Sequence, residues 1–149
     1  MLSQQEMSDR WELQDLCFYY AHLIDTKNFD DLRNVFTEDA HIDYSVYGGD
    51  VGNREEIIAY LKKAVADDIF PNSQHLNANV QITVDGDVGH GRVMCFNPME
   101  LALPEGGTET FMLGLWYVDE YRRTPEGWRI SRRVEEKSWK FNVPDFMGI

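Results

Sequence analysis

Residues 74–141 read QHLNANVQITVDGDVGHGRVMCFNPMELALPEGGTETFMLGLWYVDEYRRTPEGWRISRRVEEKSWKF, and this stretch decides the fold. At its start Leu76, Ala78, Val80, Ile82 and Val84 alternate with His75, Asn77, Asn79, Gln81 and Thr83. A period of two marks a strand with one buried face. Asp85-Gly86-Asp87 is a turn signal, and VGHGRVMCFNPMELAL follows as a second strand. Pro104-Glu105-Gly106-Gly107 turns into TETFMLGLWYVDEYRR, and Thr124-Pro125-Glu126-Gly127 turns into WRISRRVEEKSWKF. Four long strands joined by hairpins predict an antiparallel sheet.

Upstream the period changes. In Trp11–Phe36, Leu13, Leu16, Tyr20, Leu23 and Ile24 recur every three or four residues, as on an amphipathic helix. Ser8 is the expected cap and the helix should run to about Thr26. Cys17, Phe18 and Tyr19 widen its apolar stripe, which predicts cover on more than one side. Asn28 is placed to cap a short second helix, FDDLRNVF. Next, AHIDYSVYG alternates as a strand closed by Gly48-Gly49, and Asn53 opens a third helix, REEIIAYLKKAV, with acids early and lysines late. Pro71-Asn72 breaks the chain before the sheet. Helices first and antiparallel strands last give an α+β fold, a cone-shaped barrel with helices packed on a strongly curved sheet around a pocket. The tail NVPDFMGI is expected to lie over an opening. With no repeat or linker in view, residues 1–149 read as a single domain.

Composition narrows the function. Fourteen Lys and Arg against 26 Asp and Glu give a net charge of −12, which argues against nucleic acid and anionic membrane as partners. No apolar run reaches the roughly 20 residues of a membrane span, and no signal peptide is visible. Cys17 and Cys95 sit among apolar residues and read as reduced core thiols of a cytoplasmic protein. Metal-type spacing of Cys and His is absent, so no metal or cofactor is expected. The expected ligand is a small hydrophobic molecule.

Asp25 is the conspicuous polar residue of the first helix. It stands at the C-terminal end, where the macrodipole disfavours negative charge by roughly 0.3–1 kcal/mol. A carboxylate there needs a cationic or histidine partner, or an Asx-turn to cap.

The chain resembles the SnoaL-like members of the nuclear transport factor 2-like superfamily. The resemblance rests on Leu23-Ile24-Asp25, Thr37-Glu38-Asp39-Ala40, Ile42-Asp43-Tyr44, Gln74-His75, the Gly86-Asp87 hairpin, Asp119-Glu120-Tyr121 and Gly127-Trp128-Arg129-Ile130. It covers nearly the whole chain. The pattern is similar to scytalone dehydratase, γ-hexachlorocyclohexane dehydrochlorinase and bile-acid dehydratase types, which place an Asp at the end of the first helix and a His at the start of the first long strand. Asp25 and His75 match those positions. The resemblance also implies roles for Tyr20, for Tyr44 in substrate orientation, and for Arg133. Asn97 departs from the pattern, standing where those families carry a His or an Asp, which leaves it a hydrogen-bonding role.

What the resemblance implies is a cofactor-independent lyase, dehydratase-like, or an isomerase. His75 would be the base, Asp25 its orienter, Tyr20 a catalytic donor, and Tyr44, Asn97 and Arg133 substrate-binding groups. A non-catalytic small β-type subunit of a ring-hydroxylating dioxygenase, or a ligand-binding module, is the alternative, and it predicts no Asp25–His75 contact. An ion pair of Arg133 with Glu135 or Asp119 is the structural alternative for that arginine, and Glu135-Glu136-Lys137 reads as a solvated strand. Self-association as a dimer or trimer is expected from the outer face of the sheet.

Overall fold

A computed structural model describes all 149 residues. Helix α1 spans Gln4–Asp25 and α2 Arg54–Ala64. The strands are β1 Phe36–Asp43, β2 Val51–Gly52, β3 Leu76–Asp85, β4 Val88–Ala102, β5 Thr108–Thr124 and β6 Gly127–Phe141. They form one six-stranded sheet in the order β2-β1-β6-β5-β4-β3, antiparallel except where β1 runs parallel to β6. The sheet is strongly curved and unclosed. The expected α+β architecture is the one observed.

Several boundaries differ from those expected. The cap of α1 is Ser3, not Ser8, through a reciprocal capping box with Glu6. The second helix is one short 3-10 stretch, Phe29–Asn34, and the Asn28 side chain bonds Asp31 instead of capping backbone. The first strand begins four residues earlier than expected and gives way at Ser45–Tyr47 to a 3-10 turn. Asn53 caps α2 as expected, again with a capping box.

Helix α1 lies across the concave face against β3 and β6, and α2 packs on β1. It buries Leu13, Leu16, Cys17, Tyr20, Leu23 and Ile24, which meet Val93, Cys95, Leu115, Tyr117 and Ile130 of the sheet in one core. Phe18 and Tyr19 are exposed, so the helix buries one broad face and not several. Its N-terminal half is pinned by Asp9, which accepts hydrogen bonds from Trp128 Nε1 at 3.0 Å and Arg123 Nη2 at 2.8 Å. The arginine first, then burial working against it and the indole, leave this carboxyl below its ordinary range.

Three bulges among the antiparallel strands curve the sheet and re-aim its side chains. Between Ala78 and Gln81, β3 advances three residues while β4 advances two. In β6 one extra residue lies between Ile130 and Arg132, and another between Lys137 and Trp139. In contrast, β4 pairs with β5 without a break through Asn97 and Pro98. The β3 bulge is built on Asn79, whose φ of 45° is left-handed. Asn tolerates that conformation better than most residues, and a β-branched residue does not. Asn79→Val should therefore cost about 1–2 kcal/mol in urea unfolding, with Asn79→Gly near neutral. Equal stability of the two variants would remove the strain argument.

Candidate active site

The bulge at Asn79 decides where His75 points. Read as one alternation, residues 75–84 put His75 on a face with Asn77, Asn79 and Gln81. The structure splits that run: His75 and Asn77 face α1 before the bulge, Ile82 and Val84 face the core after it, and Gln81 is exposed. The segment leading into β3 is held by Gln74 N donating to Pro98 O at 3.0 Å and by a Ser73–Met99 bridge.

His75 thereby meets the end of α1. Its Nδ1 lies 2.6 Å from Asp25 Oδ1, and its backbone N–H donates to Asp25 Oδ2 at 2.9 Å. Ser73 Oγ donates to Asp25 Oδ1 at 2.8 Å. Burial works to raise the Asp25 carboxyl, but these three donors outweigh it and hold the group below its ordinary range. The Asx-turn alternative is not what the carboxylate does. With Nδ1–H given to Asp25, the imidazole keeps Nε2 free as an acceptor. The His75 side chain is 9% exposed, so its ring works in a nearly dry setting.

Asn97 Nδ2 donates to Gln74 O at 2.9 Å and approaches His75 Nδ1 at 3.4 Å. It braces the loop that carries His75 and also reaches the cavity wall. Tyr20 and Tyr44 hydroxyls are 2.7 Å apart, so one donates to the other and the pair offers a single free O–H. Burial pushes the Tyr20 phenol up to about 12. Arg133 is placed differently. It is fully buried, gives Nε and Nη2 to Asp119 at 2.8 and 2.7 Å, and stacks its guanidinium 4.3 Å from the Tyr20 ring centre and 4.0 Å from that of Tyr117. It supports the pocket from beneath and is not part of its wall.

The cavity between α1, α2, the segment before β3 and strands β4–β6 has a volume of about 160 Å³ and a mostly apolar lining, including Ile24, Leu61, Phe111 and Leu115. His75, Asn97, Tyr20 and Tyr44 all reach it. The tail does lie at its mouth, through Met147 and Ile149, while Phe146 points away. A larger depression of about 740 Å³ lies on the outer face near His90, Arg92 and Arg132, but it is open, charged and away from the Asp25–His75 pair. No group of three or more potential metal ligands is assembled in the structure. His22, His41 and His90 are exposed.

Sequence reasoning missed Glu135. It was read as solvated, yet the β6 bulge turns it inward, and its carboxyl joins the cavity wall. Burial pushes it up to about 8, against the nearby Arg133 charge and helped by Asp43. Ser73, two residues before His75, was also missed.

Residues 5–134 match the family described as SnoaL-like domain. An uncharacterized protein of Mycobacterium tuberculosis is 45% identical over 140 residues, covering 94% of this chain and 92% of that protein. The crystal structure of the Kfla4162 protein from Kribbella flavida superposes with a TM-score of 0.81 at 25% identity, covering 91% of this chain and 95% of that one. That of a hexachlorocyclohexane dehydrochlorinase (LinA) Type2 gives a TM-score of 0.79 at 17% identity, covering 93% and 90%, a likeness of fold. With the match spanning most of its length, the chain belongs to the SnoaL-like domain family of the nuclear transport factor 2-like superfamily.

Proposed function

We propose that the protein is a cofactor-independent lyase or isomerase that removes a proton from carbon in a small, mostly apolar substrate. The observation that carries this reading is the 2.6 Å contact between Asp25 and His75 at the wall of an apolar cavity. Asp25 fixes the tautomer and the orientation of the ring, and Nε2 takes the proton. The Tyr20–Tyr44 pair supplies one hydroxyl donor to the oxygen that gains charge, and Asn97 steadies the base. Arg133 acts only through Tyr20. At about 160 Å³ the cavity is smaller than the roughly 300–1,000 Å³ of drug-sized sites, and suits a single ring. A non-catalytic subunit of a ring-hydroxylating dioxygenase has no use for this pair, and the contact counts against that alternative. Exposed Phe96 and Trp139, with ring centres 5.6 Å apart, offer an apolar patch for self-association in the cytoplasm.

The test uses α-proton exchange of cyclohexanone and 3-hydroxycyclohexanone in D2O, followed by NMR. Wild type should accelerate exchange, and His75→Ala should lower the rate at least about a hundredfold. Asp25→Asn should lower it about tenfold or more and move the His75 ring resonances. Wild-type exchange retained in His75→Ala would end this reading.

A further inference from the structure

The Asp25–His75 pair leaves one chemically active cavity group unused. Glu135 makes no hydrogen bond or ion pair, and burial is the main cause of its raised pKa, opposed by the Arg133 charge. Its immediate neighbour among the cations, Arg133, is committed to Asp119 through both Nε and Nη2. Glu135 accepts no hydrogen bond in the fold, and the mostly apolar cavity wall favours its neutral form. Tyr20 from α1, Tyr44 and Tyr47 after β1, Tyr60 from α2 and Tyr117 from β5 line the cavity with it. Asp43 on β1 adds negative charge and further disfavours ionisation.

His75 immediately precedes the edge strand β3 and Glu135 lies on β6, three strands away in the sheet order, and both line the same cavity. We infer that Glu135 is a general acid that protonates a departing hydroxyl, and that the substrate class is a small β-hydroxy carbonyl compound. This rests on the reading of His75 as base. His75 Nε2 takes the proton from the carbon beside the carbonyl, and the freed electron pair becomes the new C=C bond. As the C–O bond breaks, the Glu135 proton passes to the leaving oxygen and water forms. The imidazolium then returns its proton to solvent and the carboxylate regains one, so the protein is restored without net change. The tyrosines are poorer acids for this step. Burial pushes Tyr20 to about 12 and Tyr44 well above 10, and only one of the two hydroxyls keeps a free O–H. A halide leaves without a proton and would not call for this group.

Two measurements test the assignment. The first is a carbon-13 NMR titration of side-chain carboxyls in the full-length protein, with the Glu135 signal identified by its loss in Glu135→Gln. A midpoint near 8 supports the role, and one near the ordinary 4.5 overturns it. The second compares 3-hydroxycyclohexanone with 3-acetoxycyclohexanone, which yield the same enone but release water or acetate. Glu135→Gln should slow water loss roughly ten- to a hundredfold and leave acetate loss within a few-fold of wild type. Equal losses on both probes would overturn the acid role. His75→Ala should suppress both probes; if instead it spares both while Glu135→Gln still discriminates, the base assignment fails and the acid assignment survives.

Discussion

Arg133→Met is expected to destabilise the protein by about 3–5 kcal/mol, seen as a fall in Tm of roughly 10 °C. Both side chains of the Arg133–Asp119 pair are wholly buried. Desolvating two charges is expensive, and their bidentate contact offsets that cost only while both are present. Methionine fills much of the space but leaves Asp119 with one remaining donor, the Tyr121 hydroxyl at 2.9 Å. The guanidinium also loses its stacking on Tyr20 and Tyr117. Replacing both partners, Asp119→Leu with Arg133→Met, should recover much of the loss, because no charge is then left unpaired. A single variant melting within about 3 °C of wild type would mean the pair contributes little. Because Arg133 lies under Tyr20, any kinetic effect of the single variant should follow the stability loss and the displacement of that ring.

Asp25 could be singled out from sequence because a helix has no use for an acid at that end. Its partner could be named only through the family resemblance, because alternation alone put His75 with polar residues on an apparently solvated face. The run 75–84 alternates without a flaw, and nothing in hydropathy marks the residue that interrupts it. The marker is conformational: Asn79 is among the residues that accept a positive φ. Glu135 was hidden for the same reason. In Arg132-Arg133-Val134-Glu135-Glu136 the facing depends on an extra residue at position 131, which hydropathy does not register. Arg133 was legible as an ion-pair candidate with Asp119, and that structural role is the one observed. By contrast, long hairpins, Asn53 and the overall α+β order follow from turn chemistry and periodicity, which are local. Ser3 with Glu6 is also a capping signal present in the sequence.

The protein should lose stability as pH rises from about 5 to 9, and Glu135→Gln should abolish much of that loss. Glu135 has an ordinary value of 4.5 and is pushed to about 8 by burial in the fold. Its folded pKa is raised, so below about 4.5 both states hold the proton and its contribution is fully present. Between these values the unfolded chain ionises first, and stability drains away until the folded form ionises too. Each pH unit of that window is worth about 1.4 kcal/mol. The ceiling is on the order of 5 kcal/mol, lowered by water that enters the cavity and solvates the carboxyl. The depressed carboxyls behave in the opposite sense: Asp9 and Asp25 favour the fold at neutral pH and lose that contribution as pH falls through their folded values. Taking the difference between wild type and Glu135→Gln cancels those acids and isolates the cavity group. The variant should match wild type near pH 4.5 and exceed it by a few kcal/mol near pH 9, read from urea unfolding at each pH. A difference that stays flat across this range would mean the carboxyl ionises freely in the folded protein, and the neutral acid required for hydroxyl departure would not exist.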